Sequence, residues 1–122
     1  MILDARSVLV TDGAGCLAAA AVMAASDSVA ALVLPARSWR APVAASLGAT
    51  GVMLLSTAAR TAPTSRDLAR AAAVNIGWVG ACCLALGRSP SRRGAALVAG
   101  TALFDGLAAA LQWRLRRTVA VN

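Results

Sequence analysis

The only acidic side chains in this chain of 122 residues are five aspartates, and two of them, Asp12 and Asp105, fall inside long apolar stretches. A carboxylate in hydrocarbon is costly, so an acid at such a position points to function before structure. Each belongs to an Asp-Gly pair, in Thr-Asp-Gly-Ala-Gly and in Phe-Asp-Gly-Leu-Ala. Two carboxylates sharing a weakly hydrated pocket interact, so that one is held as an acid while the other stays ionised. Such a pair can serve as general acid and general base for epoxide opening, cyclisation or double-bond isomerisation of a small lipophilic substrate. Asn75 is placed to orient water or a substrate oxygen, which makes Asp12, Asp105 and Asn75 the candidate catalytic residues.

The elements that must carry these residues follow from composition. Hydrophobic residues make up 59% of the chain, charged residues 14%, and the mean hydropathy is +0.71. A soluble domain of this size carries about 25% charged residues, so the bilayer is the expected solvent. Four stretches approach the roughly 20 residues needed to cross about 30 Å of hydrocarbon: residues 7–25, 41–59, 69–87 and 94–113. The sequence therefore predicts an all-α fold, a small polytopic membrane protein built as one four-transmembrane-helix bundle with short loops over residues 1–122. Val29 to Leu34 is too short to cross alone and ends at Pro35, so it either extends the first span or lies at the interface.

All 12 basic residues are arginines, and the net charge is +7. They cluster between the apolar stretches, as the flanks of membrane spans do, and do not gather into a patch with aromatic partners, which argues against nucleic acid. With the amino terminus inside, Arg6, Arg60, Arg66, Arg70, Arg114, Arg116 and Arg117 are cytoplasmic, against Arg37, Arg40, Arg88, Arg92 and Arg93 outside. The excess favours a multi-pass protein of a bacterial inner membrane with both termini in the cytoplasm.

Helix rise places the polar residues by depth. Asp12 is six residues beyond Arg6, about 9 Å, and Asp105 nine residues before Arg114, about 14 Å. Asn75 is about 8 Å beyond Arg70, with Trp78 one turn deeper. Ser46, Thr50, Met53 and Thr57 follow helical spacing on the second span, as do Thr101, Asp105, Ala108 and Gln112 on the fourth. One polar face per helix in the same half of the bilayer predicts a pocket open toward the side of the termini, lined by Trp78, Thr50, Met53, Thr57, Thr101 and Gln112. The simpler reading has the hydroxyls bonded back to the preceding helical turn and Asn75 tying two helices together.

Cys16, Cys82 and Cys83 lack metal-ligand spacing, and histidine and glutamate are absent, so neither a metal nor a cofactor is expected. Gly13 with Gly15, Gly48 with Gly51, and Gly77 with Gly80 are the candidates for close helix approach. In overall size, and in an acid early in the first span, the chain is similar to the small multidrug-resistance transporters. The likeness is one of architecture: that family has a glutamate among aromatic residues, whereas here the acid is Asp12 and the chain has no tyrosine. Beside the acid–base reading, in which the chain is an isomerase or hydrolase, it implies a proton-coupled carrier of a small, cationic lipophile working as a homodimer. A third reading is a non-catalytic assembly or helper subunit. A catalytic pair turns its acids inward around a blind pocket, a carrier needs access from both surfaces or a dimer axis, and a helper turns its acids outward to a partner chain.

Overall fold

The computed structural model describes residues 3–60, 62–88 and 90–121, and the regular structure in them is helical. The helices are α1 (Ala5–Ala25), α2 (Asp27–Val33), α3 (Arg40–Ala58), α4 (Ser65–Leu86) and α5 (Arg92–Val121), with a single 3-10 turn at Arg37–Trp39 before α3. Four of them, all but α2, are long and apolar enough to cross a membrane. Leu84, Leu103, Leu107, Ile76 and Val52 point outward from the bundle. Such a surface belongs against lipid chains. The protein is a four-span, multi-pass membrane protein.

Local chemistry sets the helix ends. The Asp4 carboxylate accepts the Ser7 N–H at 2.7 Å and caps α1. Ser26 is extended, ends α1, and caps α2 by accepting the Val29 N–H. The Val29 to Leu34 stretch is thus neither a continuation of α1 nor a span; it is a separate short helix that stops before Pro35. Thr64 and Asp67 form a reciprocal capping box, so α4 starts at Ser65, a few residues before its apolar run. Helix α5 runs past Trp113 to Val121, since arginine is a good helix former and nothing there breaks the turn. Its 30 residues span about 45 Å, more than the hydrocarbon thickness, so its last turns leave the membrane core.

The long helices pair as two antiparallel hairpins, α1 with α3 and α4 with α5, and the hairpins meet mainly along α1 and α5. At the crossing of α1 and α3, a Cβ on Gly13 would lie 3.1 Å from the Gly51 carbonyl oxygen, and one on Gly51 would lie 2.9 Å from the Gly13 carbonyl oxygen. The close approach therefore joins Gly13 to Gly51 across two helices, whereas Cβ atoms on Gly77 and Gly80 would meet nothing within 4 Å. Helix α2 packs on the start of α5, where Gly94 lies against the Leu32 carbonyl.

Two arginines tie off the first hairpin. Arg6 donates to the Arg60 carbonyl at 2.8 Å, beyond the end of α3. Arg40 donates to the Met23 carbonyl at 2.9 Å and the Ala24 carbonyl at 2.8 Å, the last turn of α1, and also bonds the Asp27 carboxylate. A cation on the free carbonyls of a helix C-terminus complements its dipole. Asp27 is well exposed, so its ion pair contributes little by itself and the carbonyl bonds carry most of the effect. Arg40→Ala is expected to cost about 1–2 kcal/mol, measured by thermal denaturation in detergent. Hydrogen bonding from Arg40 holds the Asp27 carboxyl below the usual carboxylate range. The small contribution of that pair is therefore complete above the ordinary aspartate range and is lost as the pH falls through the lowered value.

Candidate functional site: a buried aspartate and two amides

Where the hairpins meet, α1, α4 and α5 each contribute one polar side chain to the centre of the bundle. Asp12 on α1 is 1% exposed, and Asn75 on α4 and Gln112 on α5 are both 0% exposed. The Asn75 Nδ2 and the Gln112 Nε2 each donate to Asp12 Oδ2 at 2.6 Å, and Asn75 Nδ2 also donates to Gln112 Oε1 at 3.0 Å. These are short, charge-assisted distances, and each amide directs a donor to the same carboxylate oxygen. Among the described residues Asp12 Oδ1 and Asn75 Oδ1 have no hydrogen-bond partner, although both atoms are buried.

The trio sits within an apolar cluster. Leu9, Cys16, Leu54, Ala58, Leu68 and Ala71 form it, with Met53, Leu115 and Val119 among the half-buried residues packed against it. Leu9, Ala71 and Leu115 each lie about one turn from Asp12, Asn75 and Gln112 respectively, in the direction of the chain termini. The cluster brackets the polar layer, with Leu9, Ala71 and Leu115 on the terminal side and Cys16 one turn deeper. The surface grooves lie at the opposite end, around α2, where Ala31, Leu34 and Pro35 line both and Arg37 or Arg88 flanks one of them.

Asp105 is also buried, 7% exposed, on the Gln112 face of α5 and two turns away, about 10 Å along the axis. Its neighbour Phe104 packs its ring 3.5 Å from where a Cβ on Gly15 would stand, so this part of α5 lies against α1 within one turn of Asp12. The stretch between the two acids is lined by small buried residues, Cys16 on α1 with Ala108 and Ala109 on α5.

The other residues singled out by spacing are more dispersed. The Trp78 Nε1 donates to Thr50 Oγ1 at 3.5 Å, a long bond between α4 and α3, and both side chains are half-buried. The hydroxyls of Thr50, Thr57 and Thr101 donate back to the carbonyls of Ser46, Met53 and Leu97 at 2.8 to 2.9 Å. Met53 packs on the apolar cluster, and Thr101 is exposed. Spacing pointed to Gln112 as a lining residue and missed that it binds Asp12, because Gln112 is only two residues, about 3 Å, before Arg114, and the continuation of α5 to Val121 that sets it deeper was not expected. Spacing also passed over Arg116, one turn beyond Gln112, whose guanidinium stacks 3.4 Å from the Trp113 ring centre. Cys16 is buried, Cys82 half-buried and Cys83 exposed, all three as free thiols.

Chemically, the arrangement offers one carboxylate oriented by two amides and a second, separate carboxylate farther along the same interface, within a sheath of small apolar residues. Comparison with known proteins finds no family model, no curated protein and no solved structure that matches the chain, so the residues themselves carry the functional reading.

Proposed function

We propose that the interface between the two hairpins is an intramembrane acid–base site for a small lipophilic molecule, with Asp12 and Asp105 as its paired carboxylates. The observation that carries this reading is Asp12 itself: it faces the centre of the bundle, is fixed by two amide donors on one oxygen, and keeps its other oxygen without a partner. A helper subunit would turn that acid outward to another chain. Fixed orientation by neighbouring hydrogen bonds is what a catalytic carboxylate requires. Asn75 is the positioning residue, with Gln112 beside it. Between the acids only the small side chains of Cys16, Ala108 and Ala109 intervene, so a slender apolar molecule reaches both by parting the helices there, and Trp78 supplies a flat apolar wall on the α4 side. In this reading Asp105 and Asp12 divide the roles of acid and base during epoxide opening, ring closure or double-bond migration. The seven-to-five excess of arginines on the side of the termini supports a cytoplasmic placement of both ends.

The test is turnover by the purified full chain in phosphatidylcholine vesicles. The probes are a monoterpene epoxide and a β,γ-unsaturated cyclic ketone, with products followed by gas chromatography. Conversion is expected with the natural sequence, and a loss of at least about 100-fold with Asp12→Asn and with Asp105→Asn. No conversion of either probe, together with proton release from loaded vesicles on adding a lipophilic quaternary ammonium ion, would replace this reading with proton-coupled transport.

A further inference from the structure

Beside the free Asp12 oxygen on which the acid–base reading rests, Asn75 carries a second buried oxygen that this reading does not use. Two oxygens that can only accept, Asp12 Oδ1 and the carbonyl Oδ1 of Asn75, are buried without a donor among the described residues. Their side chains are joined through their other atoms by the 2.6 Å bond. Each orphan oxygen thus lies across one planar group from that bond, so the two are no more than about 7 Å apart. A buried acceptor without a donor is costly, and a buried carboxylate without a counter-charge more so.

The charged and titratable groups facing Asp12 come from each neighbouring element. On α1 the nearest is the Cys16 thiol, one turn deeper. Helix α4 offers neutral Asn75, with Cys82 two turns away. Helix α5 offers Asp105 on one side and Arg116 on the other, and the packed face of α3, at Gly51, Leu54 and Ala58, offers none. Arg116, one turn from Gln112 on the terminal side, is the cation on that face of α5; its guanidinium stacks on Trp113 and its Nε is itself buried without an acceptor among the described residues. The ion pairs among the described residues are Arg40 with Asp27 and Arg60 with Asp67, so neither Arg116 nor any other arginine described stands within ion-pair distance of Asp12.

From this we infer that Asp12 and Asn75 form a binding site for a single positive charge, a sodium ion or a proton, held by Asp12 Oδ1 and the Asn75 carbonyl oxygen. Both ligands are hard oxygens, which suit an alkali cation or a proton and not a soft metal. One carboxylate balances one charge, and among the described residues no three His, Cys, Asp or Glu side chains converge to hold a multivalent ion. The remaining atoms of the site already have partners: Asp12 Oδ2 accepts from two amides, and Gln112 accepts from Asn75. The amides orient the carboxylate, and the bound charge neutralises it within the hydrocarbon layer.

The inference rests on the inward-facing site of the acid–base reading but is measured without any lipophile, so failed turnover and failed ion binding are separate results. The full chain in phosphatidylcholine vesicles is assayed in two ways: equilibrium binding of radioactive sodium, and infrared difference spectra for a protonated carboxylic C=O band at neutral pH in sodium-free buffer. Sodium occupancy gives one ion per chain, and proton occupancy gives the carboxylic band; either outcome supports the site provided it disappears in Asp12→Asn and persists in Asp27→Asn, an exposed acid outside the site. Asn75→Leu, which keeps the carboxylate and removes the second oxygen, is expected to weaken sodium binding at least about tenfold or to shift the carboxylic band. Absence of both signals in the natural sequence overturns the inference, as does a signal that survives Asp12→Asn undiminished. Should Asp12→Asn fail to assemble, the Asn75→Leu and Asp27→Asn variants decide by the same criteria.

Discussion

Asn75→Leu is expected to destabilise the bundle by about 2–3 kcal/mol, far more than the loss of an ordinary hydrogen bond between membrane helices. Neutral interhelical hydrogen bonds in membranes average only about 0.6 kcal/mol, because side chains in the unfolded state within the bilayer also find partners. Asn75 differs in what it serves. Its Nδ2 donates to a fully buried carboxylate and to Gln112, and leucine at this position leaves Asp12 with Gln112 as its one remaining donor. The uncompensated acid, not the missing bond, sets the size of the effect. A double-mutant cycle separates the two. In an Asp12→Leu background, where no carboxylate remains to be satisfied, Asn75→Leu is expected to cost less than about 1 kcal/mol. Unfolding in mixed micelles of increasing denaturing detergent gives both numbers. Equal costs in the two backgrounds would mean that Asn75 supports the fold through some contact other than Asp12.

The second large effect is steric. Gly51→Val is expected to cost about 2–4 kcal/mol and to loosen the pairing of α1 with α3. The Cβ alone would come within 2.9 Å of the Gly13 carbonyl oxygen and 2.8 Å of Leu17 Cγ. Leucine can rotate away, but a backbone carbonyl cannot, so the two helices must separate and give up the contacts that small residues allow. Gly77→Val and Gly80→Val serve as controls, since a Cβ at either glycine meets nothing within 4 Å; their effect is expected to stay within about 0.5 kcal/mol. Thermal denaturation of the four proteins in one detergent makes the comparison. A cost at Gly77 or Gly80 equal to that at Gly51 would show that glycine matters here through the unfolded chain and not through the crossing.

Gly13 and Gly51, both candidates for close approach, are the two that meet. The pairs Gly13 with Gly15, and Gly48 with Gly51, each lie on one helix, but the contact that holds the first hairpin takes one member from each pair. Small residues announce that some neighbour comes close, and only the packed structure names the neighbour. The threonines illustrate the reverse case. Their spacing was compatible with a lined pocket, and their hydroxyls instead satisfy the carbonyl one turn earlier, a local choice open to any threonine in a helix without water.

What the amino-acid sequence determined by itself is the number of spans and the depth of each polar residue. Hydropathy is a sum over adjacent residues and helix rise is a constant, so neither needs a partner: four crossing helices, an acid about two turns into α1 and an amide at matching depth on α4 all follow from local information. Tertiary structure decided which polar groups touch. Asp105 and Gln112 share one face of α5, and the sequence favoured Asp105 as the companion of Asp12, whereas the packing sets Gln112 against it and leaves Asp105 two turns away. It also decided that Leu9, Cys16, Leu54, Ala58, Leu68 and Ala71 pack as one apolar cluster around the polar layer. Both outcomes depend on how far each helix is rotated about its axis and shifted along it. Those two quantities are set by the contact of glycine with glycine and of small side chains across four helices at once, and no single stretch of sequence contains them.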